Sequence, residues 1–410
     1  MQDPIADRLG KQAAAGEFSG ASTRVWKHGR VVHRAAVGRR DGPAAAATVE
    51  LDTIFRIASL TKPVTAVAAL SLLEEERFAL DDPITGVVPE LSGLQVLRDP
   101  AGAIDDAVPA ERPISFRDLL THRSGLSYGD LHRGPIGGAY RERLGPTIDN
   151  PLSPDEWIAR LATLPLIDQP GAAFHYGHSS DLLGFVVARL EQVSLGEVLA
   201  RRVFAPLGMR DTGFAVPAAK RDRRAPLSGF DAQGAPATLV HVPGGEALAE
   251  RPETMTFESG GQGLWSTADD YLAFARLFVG RGAVDGVRVL RPETVTLMTT
   301  NQLTAAQRAS ARLFGRALFA RGHGYGMGLA VVLEPDHADP LRCRGGVGTV
   351  GWPGAYGSWW QADPTNGCAM VFLAHHMVGL DQLAAGIGLG IWSAIATFHA
   401  LAASEAGSAL

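Results

Sequence analysis

A short apolar stretch near the start of the chain constrains the fold most strongly. Residues from Val64 to Leu73 are almost all apolar, which predicts a helix buried on most sides. Pro63 fits only near a helix start, because deeper inside it would remove a hydrogen bond and clash with the preceding turn. Ser59 or Thr61 could cap the first free amide groups. The apolar run is shorter than the about 20 residues that span a bilayer.

The first candidate for chemistry is the Ser-x-x-Lys pattern formed by Ser59 and Lys62 at the head of this helix. Residues three apart lie on one helix face, close enough for their side chains to interact. A serine hydroxyl needs a neighbour to take its proton, and a lysine can do this itself or favour ionisation of a third group. The helix start also directs amide groups and a positive dipole end toward Ser59. An ordinary buried helix is the alternative, since the pattern is common by chance.

Length and charge limit the remaining classes of function. A chain of 410 residues can form two domains, or one domain with a large insertion. A net charge of −5, with scattered arginines, gives no basic surface for nucleic acid. We therefore expect a small-molecule substrate and no nucleic-acid partner, while the oligomeric state stays open.

Several features favour a cytoplasmic protein without a membrane partner. The start, Met1-Gln2-Asp3-Pro4, lacks the basic and apolar regions of an export signal. The last apolar stretch, residues 383–403, is interrupted by three glycines and predicts a buried helix rather than an anchor. Two cysteines, Cys343 and Cys368, are too few for a disulfide framework and fit a reducing compartment.

The distribution of predicted strands and helices along the chain indicates an α/β domain interrupted by a helical domain. Alternating residues around His28-Gly29-Arg30 predict a hairpin, and further strands are expected from Tyr325 to Leu333 and on both sides of a turn at residues 363–367. Residues 84–250 contain many Pro and Gly residues, short helical segments and no convincing strands. We therefore predict an α/β domain with an antiparallel sheet from residues 1–83 and 251–410, and a mainly helical domain from residues 84–250.

A second candidate site surrounds Tyr176, which stands in a polar turn before an amphipathic segment. A phenol beside an ammonium group ionises more readily, and its phenolate could be the general base for Ser59. The alternative is a half-buried tyrosine that donates one hydrogen bond. His175 and His178 with Asp181 also suggest a metal site, but their spacing is not a standard ligand set, and we expect no metal.

The third candidate is the glycine-rich segment from Gly348 to Trp360. Its glycines would let a substrate approach a strand backbone closely, and Trp352 would supply an apolar wall. An amide of this strand, together with the amide of Ser59, could bind an oxyanion. Pro353 has no N–H and fits only an edge strand or a bulge. The alternative is a tryptophan-rich core hairpin.

Taken together and in this order, the three segments resemble the motifs of the serine β-lactamase and penicillin-binding-protein superfamily. The details are closest to the class C β-lactamase-like carboxylesterases of family VIII, over about residues 15–395. The matching segments are Ser59-Leu60-Thr61-Lys62, Tyr176-Gly177-His178 and Gly351-Trp352-Pro353-Gly354. The resemblance implies an α/β fold with an antiparallel sheet flanked by helices, an inserted all-helical domain, an active site in the cleft between them, and no cofactor.

The resemblance also implies roles for individual residues. Lys62 and Tyr176 would deprotonate Ser59, and the amides of Ser59 and Ala355 would bind the oxyanion. The remaining substrate-binding residues would be Trp352, Gly354 and His178. Two departures matter: Trp352 replaces a lysine that helps hold the substrate carboxylate, and His178 replaces an asparagine. Both favour hydrolysis of small, largely neutral carboxylic esters over β-lactam hydrolysis.

Three other functions remain open at this stage: a β-lactamase or D-amino-acid peptidase, an amidase or acyltransferase with the same acyl-enzyme, and a non-catalytic binding protein. A rival nucleophile also exists, because residues 125–129 fit the Gly-x-Ser-x-Gly pattern of α/β-hydrolases around Ser127. That pattern requires a preceding strand and a following helix. Ser127 instead follows a helix-like segment and precedes a loop, so Ser59 is the predicted nucleophile.

Overall fold

The computed structural model describes residues 3–40, 47–132, 134–231, 236–238, 248, 251–313, 315–319, 322–339, 344–379, 382 and 385–404. In this part of the chain the largest sheet has seven strands, all paired antiparallel. In order across the sheet they are β13 (His323–Tyr325), β14 (Ala330–Val332), β15 (Val350–Gly354), β16 (Ser358–Asp363), β17 (Cys368–Ala374), β1 (Gly20–Lys27) and β2 (Arg30–Gly38).

Short two-stranded pairs account for the other named strands. They are β3 (Phe55–Arg56) with β8 (Trp265–Ser266), β4 (Gln95–Leu97) with β5 (Ala107–Pro109), β6 (Ser228–Phe230) with β7 (Pro236–Thr238), β9 (Ala283–Val284) with β10 (Val287–Arg288), and β11 (Arg312–Leu313) with β12 (Arg316–Ala317).

The described helices lie before, between and after these strands. They are α1 (Pro4–Ala14), α2 (Thr61–Glu74), α3 (Phe116–Leu120), α4 (Pro135–Leu144), α5 (Pro154–Leu161), α6 (Ser179–Glu191), α7 (Leu195–Leu199), α8 (Ala205–Leu207), α9 (Ala268–Val279), α10 (Pro292–Thr299), α11 (Ala305–Ser310) and α12 (Gly390–Ser404).

Helices cover both faces of the seven-stranded sheet. Side chains alternate between the faces of a strand, so neighbouring residues of β16 enter different cores. Trp360 packs against α9, where its ring lies 5.2 Å from that of Phe278. Trp359 packs on the opposite face, 5.6 Å from His399 of α12. An antiparallel sheet flanked by helices is the predicted fold class.

The local elements agree with the sequence in some places and differ in others. The predicted hairpin at His28-Gly29 is confirmed, since β1 pairs with β2 across these two residues of positive φ. The single strand predicted from Tyr325 to Leu333 is wrong, because β13 and β14 form a hairpin there. Gly328 has a φ of +80°, and a Cβ on it would lie 2.9 Å from Cβ of Ala66 in α2. The glycine lets the chain turn against that helix.

The helical segment of residues 84–250 differs in a similar way. Helices α3 to α8 lie within it, but so do the pairs β4–β5 and β6–β7, so the expectation of no strands there is wrong. These strands are only three residues long, too short to show an alternating pattern in the sequence. The division into two domains at residues 83 and 250 stays a prediction.

The C-terminal helix packs into the protein, and one of the two cysteines is a buried free thiol. Within the predicted C-terminal stretch of residues 383–403, the helix α12 begins at Gly390, and its residues Ile391, Ile395 and Phe398 are buried. Residues 383 and 384 lie outside the described residues. No helix in the described ranges is long and apolar enough to cross a membrane. Cys368 is a free, buried thiol in β17, and Cys343 lies outside the described residues.

Candidate active site

Three side chains from separate parts of the sequence meet at the start of α2. The Nζ atom of Lys62 lies 3.2 Å from Oγ of Ser59, and the Tyr176 hydroxyl lies 2.7 Å from the same oxygen. Ser59 is in a 3-10 turn, Ala58–Leu60, directly before α2, and Lys62 is in the first turn of the helix. The predicted nucleophile and both of its predicted proton acceptors are therefore within hydrogen-bonding distance.

The turn that presents Ser59 has an unusual backbone. Ala58 adopts a φ of +45°, which is uncommon for a residue with a Cβ. The expected side-chain cap of α2 is wrong, because Leu60 occupies the N-cap position. Thr61 instead donates to the carbonyl of Ala58 at 2.7 Å and accepts from the amide of Leu264 at 3.2 Å. The Ser59 hydroxyl is thus free of a capping role and contacts Lys62 and Tyr176.

The loop before α6 supports Tyr176 through close backbone packing. A Cβ on Gly177 would lie 2.3 Å from Cα of Ser127, so only glycine fits there. The Ser127 hydroxyl donates to the Tyr176 carbonyl at 3.2 Å and is buried. Ser127 follows α3 and precedes a 3-10 turn at Gly129–Leu131, rather than standing between a strand and a helix. Its hydroxyl contacts the loop that holds Tyr176.

Lys62 is almost completely buried and has two partners that the sequence did not indicate. Its Nζ atom donates to the carbonyl of Gly261 at 2.9 Å and to the Tyr128 hydroxyl at 3.2 Å. It also lies 4.5 Å from the centre of the Tyr176 ring. Tyr128 belongs to the Gly-x-Ser-x-Gly segment, a pattern that points to its serine and gives no signal for a tyrosine contact.

Trp352 contributes apolar surface, as expected, and also donates a hydrogen bond. Its indole N–H donates to the Tyr176 hydroxyl at 3.1 Å, and its ring packs 5.4 Å from that of Tyr176 and 5.3 Å from that of Tyr325. The position of Pro353 explains why a proline is tolerated beside it. Strand β15 pairs with β14 only through Val350 and Gly351, so Pro353 stands where β15 is a free edge.

Gly354 brings the end of β15 against the turn that contains Ser59. A Cβ on Gly354 would lie 2.8 Å from the carbonyl oxygen of Ile57 and 2.9 Å from Cδ1 of Leu60. Only a glycine permits this approach. The next residue, Ala355, is exposed at the start of the following turn. The amides of Ser59 and Ala355 as an oxyanion-binding pair stay a prediction that this close approach supports.

His178 lies deeper than the other predicted substrate-binding residues. Its Nδ1 atom is 3.1 Å from Oδ2 of Asp181, and its ring packs edge-on against Tyr128 at 4.6 Å. The imidazole is only 2% exposed, which disfavours direct contact with substrate. His175 pairs instead with Asp168 at 2.7 Å. The two histidines thus contact different carboxylates, and the described residues contain no group of three potential metal ligands.

Burial determines the protonation of the aromatic groups around the site. It raises the pKa of Tyr325 well above the usual phenol value, and it does the same for Tyr128, aided by the charge of Asp181. Both residues therefore remain neutral phenols. Burial and the charge of Lys62 lower the pKa of His122, whose neutral ring lies 5.1 Å from Tyr176. Tyr176 is the phenol that directly contacts Ser59.

This geometry can be compared with known proteins. The family model described as Beta-lactamase matches residues 5–387. Protein Rv1367c from Mycobacterium tuberculosis strain H37Rv is 45% identical over 376 residues, which are 92% of this chain and 90% of that protein. Esterase EstB from Burkholderia gladioli is 34% identical, over 87% of this chain and 86% of that one.

A solved structure extends the likeness to the whole fold. The structure described as EstCE1, a hydrolase with promiscuous acyltransferase activity, superposes with a TM-score of 0.75 and 26% identity. The match covers 96% of this chain and 97% of that chain. The predicted fold class and family resemblance are both confirmed. With its esterase-like and acyltransferase-like relatives, this chain belongs to the beta-lactamase family and is a serine hydrolase.

Proposed function

We propose that this chain is a serine carboxylesterase that hydrolyses small, largely neutral carboxylic esters through an acyl-enzyme on Ser59. The main support is that Nζ of Lys62 and the hydroxyl of Tyr176 both lie within 3.2 Å of Oγ of Ser59. The 34% sequence identity to Esterase EstB supports an ester as the class of substrate.

The reaction follows from the contacts of Ser59. Tyr176, beside the Lys62 ammonium, takes the Ser59 proton as Oγ bonds to the ester carbonyl carbon. The resulting oxyanion accepts hydrogen bonds from the backbone N–H groups of Ser59 and Ala355. The carbonyl then re-forms, the C–O bond to the alcohol breaks, and the alcohol leaves with the proton from Tyr176. In the second half, Tyr176 takes a proton from water as the water oxygen bonds to the acyl carbon, and it returns that proton to Oγ of Ser59 as the C–O bond to Ser59 breaks and the acid is released.

The preference for neutral substrates rests on Trp352. An indole in place of a lysine removes a cation that could hold a carboxylate, and its N–H is already bonded to Tyr176. The neighbouring rings of Tyr176 and Tyr325 add apolar surface. Apolar acyl or alcohol groups without a negative charge are therefore the better match for this wall.

The test compares the two candidate nucleophiles. A short-chain nitrophenyl ester should give a burst of product followed by steady turnover, and a fluorophosphonate probe should label the peptide that contains Ser59. Ser59→Ala should abolish turnover and labelling, since among the described residues no other hydroxyl is hydrogen-bonded to both Lys62 and Tyr176. The matched variant Ser127→Ala should retain most of the activity. Label on the Ser127 peptide, or full turnover by Ser59→Ala, would contradict the proposal.

Acyl transfer to an alcohol is the second candidate, because a relative of known structure is described as having promiscuous acyltransferase activity. The acyl-enzyme would be the same, with an alcohol replacing water as its acceptor. Turnover measured with increasing alcohol would then give a new ester at the expense of the acid. A chromogenic cephalosporin in the same assay distinguishes a β-lactamase, which should hydrolyse it faster than the ester.

A further inference from the structure

Lys62 has more hydrogen-bond partners than proton transfer to Ser59 requires. An ammonium group has three N–H donors, and three oxygens surround Nζ: Oγ of Ser59 at 3.2 Å, the Tyr128 hydroxyl at 3.2 Å and the Gly261 carbonyl at 2.9 Å. A neutral amine has only two N–H groups, so it could keep all three contacts only if the Ser59 hydroxyl donated to its lone pair. Lys62 is 1% exposed, so water cannot readily serve as a further partner.

A buried carboxylate lies behind two of these partners. Asp181 in α6 is fully buried, and its oxygens accept from the Ser259 hydroxyl at 2.5 Å, the Gly261 amide at 3.0 Å and Nδ1 of His178 at 3.1 Å. The Tyr128 hydroxyl lies 3.5 Å from Oδ2, a long contact. Tyr128 and Gly261 thus each contact Lys62 on one side and Asp181 on the other.

The close packing of Tyr128 and Asp181 requires a glycine at position 261. A Cβ on Gly261 would lie 2.7 Å from the Tyr128 hydroxyl and 2.9 Å from Oδ1 of Asp181. Any other residue would push both oxygens apart. The glycine therefore lets a phenol, a carboxylate and a backbone carbonyl share one buried volume next to Lys62. A buried ammonium and a buried carboxylate each need such compensation.

We propose that Tyr128 is a positioning residue which, together with the Asp181 carboxylate, keeps Lys62 as an ammonium ion beside Ser59. Tyr128 accepts a hydrogen bond from Lys62 and directs its own proton toward Asp181. The Lys62 cation then stabilises negative charge on the Tyr176 oxygen. This inference rests on the proposed role of Ser59 and concerns how the Lys62 ammonium of that mechanism is held in place.

Every titratable group that faces Lys62 in the described part of the chain contributes to the expected pH dependence. Those groups are Tyr128, Tyr176, His122, Asp181 and, through Asp181, His178. The pH profile of activity belongs to these coupled residues together rather than to any one of them. Removing the Tyr128 hydroxyl takes away one acceptor of the Lys62 ammonium, so the alkaline limb of the profile should move to lower pH.

The test is the pH profile of the second-order rate at which a fluorophosphonate labels Ser59, which needs no ester substrate. Tyr128→Phe should move the alkaline limb down by about one pH unit, and Asp181→Asn should move it in the same direction. The matched control is Tyr140→Phe, which also removes a buried hydroxyl near His178, but one without a hydrogen-bond partner within the described chain. Its profile should overlay that of the unmodified protein.

The outcomes separate the two proposals. A Tyr128→Phe profile with unchanged limbs, whether or not its amplitude falls, would overturn the positioning role. Absence of Ser59 labelling in the unmodified protein would instead overturn the proposed function. Thermal unfolding of each variant shows whether it is folded, and if Asp181→Asn is not, Tyr128→Phe decides alone.

Discussion

The indole N–H of Trp352 offers a direct test of how the site handles charge on Tyr176. Trp352→Phe keeps an aromatic wall but removes the donor that lies 3.1 Å from the Tyr176 hydroxyl. A hydrogen bond to a group that becomes charged is worth about 2 kcal/mol. If this bond strengthens as Tyr176 carries negative charge, its loss should lower kcat/KM by about 30-fold. The fall should lie mainly in kcat, because the bond is not to substrate.

The matched control is Trp360→Phe, directly opposite on the neighbouring strand. Trp352 pairs with Trp360 in the β15–β16 register, both are buried, and the Trp360 indole N–H has no hydrogen-bond partner among the described residues. Both substitutions remove the same atoms and leave a similar cavity, so both should lower stability by about 1–3 kcal/mol. The assays are nitrophenyl-ester kinetics and denaturant unfolding. Equal kcat/KM values for the two variants would refute the role assigned to the indole N–H.

Two further predictions concern stability. Arg56→Met should lower the free energy of unfolding in urea by about 3 kcal/mol or more, because it leaves the buried carboxylate of Asp149 without its main partner; a loss under 1 kcal/mol would contradict this. Burial lowers the pKa of His376 to about 4, so between about pH 6.5 and pH 4 the unfolded chain binds the proton that the folded one does not, and stability falls as the pH is lowered through this range. By pH 5 this should amount to about 2 kcal/mol relative to pH 7, and His376→Gln should flatten the dependence; an equal slope in the variant would exclude His376 as its source.

The sequence could predict the parts of the site that depend on local spacing. Ser59 and Lys62 are one helical turn apart, so their contact follows from the helix itself. The contact of Tyr176 could be inferred only because three ordered segments resembled those of one superfamily. Periodicity alone gives no distance between residues that are 117 positions apart.

The parts that sequence reasoning missed depend on tertiary packing. Tyr128 reaches Lys62 from 66 positions away, and the other new partner of Lys62 is a backbone carbonyl, which no side-chain pattern can indicate. The hairpin at Gly328 has the sequence pattern of a single strand because its apolar residues continue across the turn. Only the approach to Ala66 of α2, which a sequence does not display, explains the glycine.

The contacts of Lys62 and Trp352 together suggest where substrate selectivity arises. All three donors of the Lys62 ammonium are engaged, and the indole N–H of Trp352 is bonded to Tyr176. Neither residue then has a donor left for a substrate carboxylate, so the Lys62 ammonium and the Trp352 N–H act on the chemical step, while the Trp352 ring belongs to the binding wall. Recognition would depend on the aromatic wall and the oxyanion amides, which match a neutral ester carbonyl. Tyr128→Phe and Trp352→Phe, which keep an aromatic ring in place, should therefore change kcat and its pH dependence while leaving KM for a neutral ester nearly constant.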